Sequence, residues 1–376
     1  MDIQRISEMI DTDWLRTLSN NYLHSEKGII TNWSCNSIGA VDKNFVTGGV
    51  YRISGTTEID SGAQQSWSFI LKVINPDPLR EDPAHYNYWR REILAYSSGL
   101  LDNLPQNILT PKCFAIDEKD NRSVWLWIED IEQDQRQWEW DDYGFVTEKL
   151  GEFQAAYLLG KPLPEFHWVN QQWMRSWLNE CYAYQYQPDI HSKRILLSDQ
   201  RVAAIMDQFT QLEKWINDWL YGIDLLPKTL AHQDFYEMNI MLNSVQQQER
   251  KLTLIDWQFT SISGIGEDLG RFLGLSVSRG QVPIEHFKMY LELFITSYLK
   301  GMRKTGWDGD EDLPRFGFLA AFALRSVWEV PKMLKKLEQN PESQESKKLM
   351  LITELQMEIS KEVERLRVNS ILKKLY

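Results

Sequence analysis

The chain has 376 residues, 43% of them hydrophobic, which is enough for two lobes with cores of their own. Its formal net charge of -12 excludes a general nucleic-acid binder, because such proteins need basic patches to neutralise phosphates. Three scattered cysteines (Cys35, Cys113, Cys181) give neither a metal-ligand spacing nor an even-numbered disulfide framework, and they point to a reducing compartment.

The first residues carry acids where a signal peptide would be apolar. The longest apolar run, 316–324, is too short to span a bilayer and stops at Arg325. A soluble cytoplasmic protein with no membrane partner is expected. Residues 1–23 place Ile3, Ile6, Met9 and Ile10, then Trp14, Leu15, Leu18 and Tyr22, at helical spacing, with Thr12 or Asp13 as the cap of the second helix.

From 29 to 74 the pattern turns to strands, at 34–38, 50–53 and 66–74. Thr47, Gly48 and Gly49 stand just before the second strand. Glycines there allow backbone N–H groups to approach a phosphate, but the same pair also makes an ordinary hairpin turn. Gly39 is the alternative for that cover, and Asn44 and Thr47 add side-chain donors. In the third strand Lys72 shares a face with Ile70 and Ile74 by period two, so its ammonium needs a partner. Glu92 offers one, in a helical stretch with Trp89, Ile93, Tyr96 and Leu100 on one side. The alternative is a solvated lysine on an edge strand.

Runs at 110–116 and 123–128 flank a polar turn and make another hairpin, whose second strand ends Trp127-Ile128-Glu129-Asp130. The segment 129–142 then sets seven acids against Arg136 alone, together with Trp138, Trp140 and Tyr143 close by. Helices follow at 144–159 and 168–182, and a longer one starts from a cap at Ser198 or Asp199. Beyond residue 268 helices are expected at 284–299, 316–337 and about 342–375, with an acidic loop at 306–312.

The stretch 229–269 concentrates the chemistry. Two short apolar runs, 240–242 and 252–255, flank a polar turn and read as a hairpin. His232, Asp234 and Asn239 sit just before the first strand, and Asp256 ends the second. Hard oxygen donors at one hairpin base suit Mg2+ together with substrate phosphates.

His-x-Asp, Asn239 five residues after Asp234, and an apolar strand ending in Asp256 resemble the catalytic core of the kinase-like fold. Asp256-Trp257-Gln258 replaces Asp-Phe-Gly, no Ala-Pro-Glu occurs, and Glu267-Asp268-Leu269-Gly270 follows. In these features the chain resembles the aminoglycoside phosphotransferase and choline kinase superfamily rather than a protein kinase.

The resemblance implies an α+β, two-lobed protein-kinase-like fold, with a β-rich nucleotide lobe over 1–129 and a mainly helical lobe over 130–376. It implies transfer of the γ-phosphoryl of ATP or GTP to a hydroxyl of a small molecule. Asp234 would orient that hydroxyl and accept its proton, and Asn239 and Asp256 would hold Mg2+. Lys72, steadied by Glu92, would neutralise the nucleotide, with Thr47, Gly48 and Gly49 covering its phosphates and the backbone near Trp127 and Glu129 meeting adenine. His232 would pack and hydrogen-bond the loop, and Asp268 would accept from its backbone. The alternative is a nucleotide-binding pseudokinase or interaction module. For the acceptor, the acid and aromatic groups at 129–142, 307–312 and Trp328-Glu329 suit a cationic amino sugar or amino alcohol. The competing explanation is that an acidic chain simply solvates its acids in loops.

Overall fold

The period-two stretches of the N-terminal part pair into one antiparallel sheet in the computed structural model, which describes residues 3–38, 46–119, 122–133, 136–243 and 250–371. After helices α1 (Ile3–Met9) and α2 (Thr12–Leu23) come strands β1 (Ile29–Ser37), β2 (Thr47–Glu58) and β3 (Gln64–Ile74). Helix α3 (Arg91–Ser97) then precedes β4 (Cys113–Glu118) and β5 (Val124–Glu129). The five strands lie in the order β1-β2-β3-β5-β4. Alternation along β3 divides its side chains between two cores. Phe69, Leu71 and Val73 face a cluster with Ile6, Leu15 and Leu18 of the leading helices, whereas Ile74 belongs to the larger core that includes Trp89 and Ile93 and continues into the helical part. The cap of α2 is Asp11, which accepts from the N–H groups of Asp13 and Trp14, rather than Thr12 or Asp13.

The remainder is mainly helical. Helices α4 (Trp140–Leu158), α5 (Trp173–Tyr184), α6 (Ile190–Leu196) and α7 (Gln200–Leu225) lead to β6 (Lys228–Ala231), β7 (Ile240–Asn243), β8 (Lys251–Leu254) and β9 (Ser261–Gly264). These short strands pair as β6–β9 and β7–β8. Asp199 caps α7 through the N–H groups of Arg201 and Val202, as its position in the sequence suggests. Helices α8 (Glu267–Arg279), α9 (Phe287–Thr305), α10 (Asp312–Leu324), α11 (Ser326–Gln339) and α12 (Gln344–Leu366) complete the lobe. The single helix expected over 316–337 is broken at Arg325: α10 packs on α8 and α12, and α11 packs on α12 and α5.

Helices α8 and α10 meet at backbone distance. A Cβ on Gly270 would come within 2.3 Å of the Phe318 carbonyl oxygen, and one on Gly317 within 2.0 Å of the Ile265 carbonyl oxygen. No helix among the described residues is long and apolar enough to cross a membrane.

Candidate active site

The β7–β8 hairpin brings the two ends of the motif together. Ile240 pairs with Leu254, and just beyond this pair the Ile255 N–H donates to the Asn239 carbonyl at 3.0 Å. His232 holds the loop from beneath. Burial lowers its pKa to about 4, so the ring is neutral; Nε2 donates to the Ile255 carbonyl (3.0 Å) and Nδ1 accepts from the Asp234 N–H (3.3 Å). Asp268, at the start of α8, accepts from the backbone N–H groups of His232 (2.9 Å) and Gln233 (2.6 Å) and from the Gln154 amide (3.0 Å). These bonds fix a loop whose Gln233 has a left-handed φ of 61°.

Above this support the Asn239 amide N–H donates to the Asp234 Oδ2 and to the Asp234 carbonyl, each at 2.9 Å. That orientation turns the amide oxygen of Asn239 away from Asp234, where it could serve as a ligand. Burial raises the pKa of Asp234 to about 6, the neighbouring Arg271 opposes the rise, and the Asp256 carboxylate adds to it. Asp256 sits in the left-handed region, φ 62° and ψ 65°, a strained conformation for a residue with a side chain.

Lys72 bridges the lobes. Its Nζ lies 2.5 Å from Glu92 Oε2 and 2.8 Å from Asp256 Oδ1. Burial would lower its pKa, but the two carboxylates hold it above that of an ordinary lysine. Burial would likewise raise Asp256, which Lys72 instead keeps below the usual carboxylate range. Glu92 is raised by its own burial against the pull of Lys72. The lysine of β3 therefore has the partner that its apolar face demanded, and a second one in Asp256.

The donor set fits a divalent cation of the magnesium type. Asn239 and Asp256 offer two oxygen ligands, and no group of three His, Cys, Asp or Glu among the described residues could make an all-protein cage. Magnesium that keeps waters and substrate phosphates needs no such cage.

Three expectations require correction. Thr47, Gly48 and Gly49 are the first residues of β2, not a turn, with Thr47 paired to Ile74 and Gly49 to Val73 across a bulge. Both glycines are buried; a Cβ would strike the Asn75 side chain at Gly48 and the Tyr51 ring at Gly49, so close packing accounts for them. Gly39 and Asn44 lie outside the described residues. Trp127 is mid-strand, in register with Leu71 on one side and Ala115 on the other, so its backbone has no edge for adenine. Glu129 ends β5, donating its N–H to the Lys112 carbonyl (2.9 Å) and accepting the Lys112 N–H on its side chain (3.1 Å), bonds that do not involve its own carbonyl.

Part of the acidic segment is also spent on structure, although Glu132, Glu139 and Asp141 are exposed. Asp130 takes Arg52 in a fork (2.7 and 3.0 Å) and the Ser68 hydroxyl (2.6 Å). Asp142 is buried, accepts from the Glu139 N–H at 2.6 Å, and pairs with both Arg136 and Arg250. Trp138 packs on Tyr143 and Phe272, and Trp140 packs on Tyr290. Trp307 is buried, and Glu329 is buried against Arg325.

What stands beside Asp234 is basic. The Arg271 guanidinium lies over the rings of Trp173 (4.6 Å) and Trp177 (5.2 Å), donates through Nε to the Gln233 carbonyl (2.9 Å), and has Nη2 3.6 Å from Asp234 Oδ1. Two turns further along α8, Arg279 covers the Tyr236 ring at 4.5 Å. Neither arginine stands out in the sequence as a site residue. The available signal was their position after Asp268 on the helix that anchors the loop.

A family profile described as ecdysteroid kinase-like matches residues 43–306. No curated protein sequence matches the chain. Solved structures share the fold at low identity. A choline kinase from Cryptosporidium parvum Iowa II is 11% identical with a TM-score of 0.54, covering 97% of this chain and 99% of its own. A microcompartment-associated aminopropanol kinase is 14% identical with a TM-score of 0.53, covering 94% and 98%. An amicoumacin kinase in complex with AMP-PNP, Ca2+ and Ami is 11% identical with a TM-score of 0.52, covering 96% of each chain.

Proposed function

The chain belongs to the ecdysteroid kinase-like family, and from that membership we propose that it moves the γ-phosphoryl of ATP or GTP to a hydroxyl of a small molecule. The observation that carries the reading is the joining of Lys72, Glu92 and Asp256 across the two lobes, next to the Asp234–Asn239 pair. In this reading residues 1–129 form the nucleotide lobe and residues 130–376 the catalytic and acceptor lobe.

Asp234 orients the acceptor hydroxyl and takes its proton as the oxygen attacks phosphorus. Positioning matters more than base strength here, because a carboxylate is a weak base near neutral pH. Lys72, released from Asp256 when a nucleotide arrives, turns its ammonium to the phosphates while Glu92 keeps it in place. Asn239 and Asp256 would hold Mg2+, which supplies charge neutralisation on the phosphates. His232 and Asp268 keep the loop in register. The adenine edge lies not at Trp127 but at the end of β5, on the backbone of Glu129 and Asp130 where the chain leaves the sheet.

For the acceptor we infer a hydroxyl compound with no ammonium group next to the reacting carbon. Arg271 stands beside Asp234 and Arg279 over Tyr236, while Asp130 and Asp142, among the acids expected to attract a cation, are taken up by arginines. The solved kinases above that act on amino compounds lend this chain their fold and not their acceptors. The family is named for ecdysteroids, which are hydroxylated and carry no amine.

The test is acceptor-dependent release of ADP or GDP over a panel of sterols, sugars, nucleosides, amino sugars and amino alcohols, with Asp256→Ala as the control. Turnover on a hydroxyl acceptor, lost in the control, supports the reading. Tight Mg–nucleotide binding with no turnover on any acceptor makes the chain a pseudokinase or binding module.

A further inference from the structure

Next to Glu92 stands a buried arginine that none of the roles above uses. Arg91 is fully buried, and its hydrogen-bond partners are carbonyl oxygens. A guanidinium carries five N–H donors in a fixed fork. Here each meets its own carbonyl: Nε that of Trp168 (3.2 Å), Nη1 those of Tyr86 (2.7 Å) and Gln258 (3.2 Å), and Nη2 those of Pro83 (2.7 Å) and His85 (2.8 Å). Burying a cation is costly unless hydrogen bonds offset the lost water, and this set leaves no donor over.

The five carbonyls come from three parts of the chain. Pro83, His85 and Tyr86 precede α3, Trp168 belongs to the helical lobe, and Gln258 lies two residues past Asp256. The stitching runs both ways, since the Gln258 amide donates back to the Tyr88 carbonyl. The Asn170 amide holds the Ala84 carbonyl at 2.8 Å, and the Tyr86 N–H donates to the Ser176 hydroxyl at 2.8 Å. Helix α3 is only seven residues long, too short to keep its place by its own hydrogen bonds.

We propose that Arg91, together with Gln258, is the positioning device of the Lys72–Glu92–Asp256 chain. It ties the start of α3 to the segment after Asp256, so that Glu92 and Asp256 reach Lys72 as parts of one rigid body. Arg91 touches neither substrate and acts through Glu92. The inference rests on the phosphotransfer reading for what the chain is used for, but the lock itself is testable without turnover.

Amide hydrogen exchange of the full chain, with no nucleotide, reads the lock first. The amides of residues 94–98 should exchange as slowly as those of the paired β3 and β5; faster exchange by local opening in the native protein would overturn the proposal. Calorimetry with Mg–AMP-PNP follows on Arg91→Lys and Gln258→Leu. Each variant should lose about tenfold or more in affinity, as removal of outer support for a metal ligand does. Each should also speed exchange at 94–98 while the rest of the pattern stays.

A merely structural role predicts that Glu92→Gln costs the same in both backgrounds. The lock predicts that Glu92→Gln costs less than about twofold once Arg91→Lys is present, because the helix that carries it is already loose. An unchanged cost of Glu92→Gln, or native affinity and exchange in both variants, overturns the proposal. Should Arg91→Lys fail to fold, Gln258→Leu and the native exchange pattern decide. A native chain that binds no Mg–AMP-PNP sinks the phosphotransfer reading instead, and exchange at 94–98 still judges the lock.

Discussion

Residues 129–142 and 232–268 both carry carboxylates, densely in the first and sparsely in the second, and use them in opposite ways. In the first stretch the carboxylates described above hold backbone and arginines: Glu129 on Lys112, Asp130 on Arg52, Asp142 on Arg136 and Arg250. In the second, Asp268 and Glu267 do the same work below the loop, while the side chains of Asp234 and Asp256 remain 21% and 29% exposed. Acid content does not separate a site from a scaffold. The separation comes from the partners of the inward-facing acids: Asp130 and Asp142 are matched by arginines, while Asp234 and Asp256 stay partly open beside each other.

The comparison breaks most readily at Asp256. Asp256→Ala should abolish Mg2+-dependent nucleotide binding in calorimetry, since a magnesium site does not easily replace its main carboxylate. Asp234→Ala should leave nucleotide affinity nearly intact and lower turnover by about 10²–10⁴, the usual share of a positioned acid–base group. Equal loss of binding in the two variants would end this division of roles. Next in size, Lys72→Ala and Glu92→Ala should be non-additive by about 0.5–3 kcal/mol in a double-mutant cycle on turnover. Simple additivity would mean that the ion pair at 2.5 Å has no part in the reaction.

The pH dependence sharpens the same contrast. Asp234 must be ionised to accept a proton, and burial raises its pKa to about 6. Acceptor-dependent kcat/KM should therefore fall as pH drops through about 6, and a flat profile down to pH 5 would remove Asp234 as the base. In the structural region the effects should appear in stability instead. Asp142→Asn leaves two arginines without their carboxylate and should cost about 1–3 kcal/mol, read as a lower denaturation midpoint with kcat/KM unchanged. Asp141, exposed one residue earlier, should shift stability by no more than about 0.5 kcal/mol as Asp141→Asn, with acceptor preference unaltered.

What could be read from the sequence was what local pattern determines. Period two along β3 put Lys72 on an apolar face and so demanded a partner, and the hairpin signal brought Asn239 and Asp256 to one base. Tertiary choice decided the rest. Gly48 and Gly49 look the same in a turn and in a strand that must pass Tyr51 and Asn75 closely. An arginine inside a polar stretch, such as Arg91 before Glu92, has the signature of a solvated residue, because its carbonyl partners are scattered from Pro83 to Gln258. Arg271 was hidden in the same way, and the clustered acids were conspicuous although Asp130 and Asp142 serve the scaffold.

The bare seam between α8 and α10 sets a ruler for the catalytic loop. The helix that clamps His232 and Gln233 through Asp268 rests on a neighbour at a spacing set by absent methyl groups, with Gly270 two residues from that clamp. Any side chain there must push α8 outward, and it carries Asp268 and Arg271 with it. A displacement of about 1 Å at a reacting group can cost on the order of 10²-fold in rate. Harmful variation in this protein should therefore collect along a glycine track that contacts neither substrate, and a diagnostic screen confined to cleft residues would miss it.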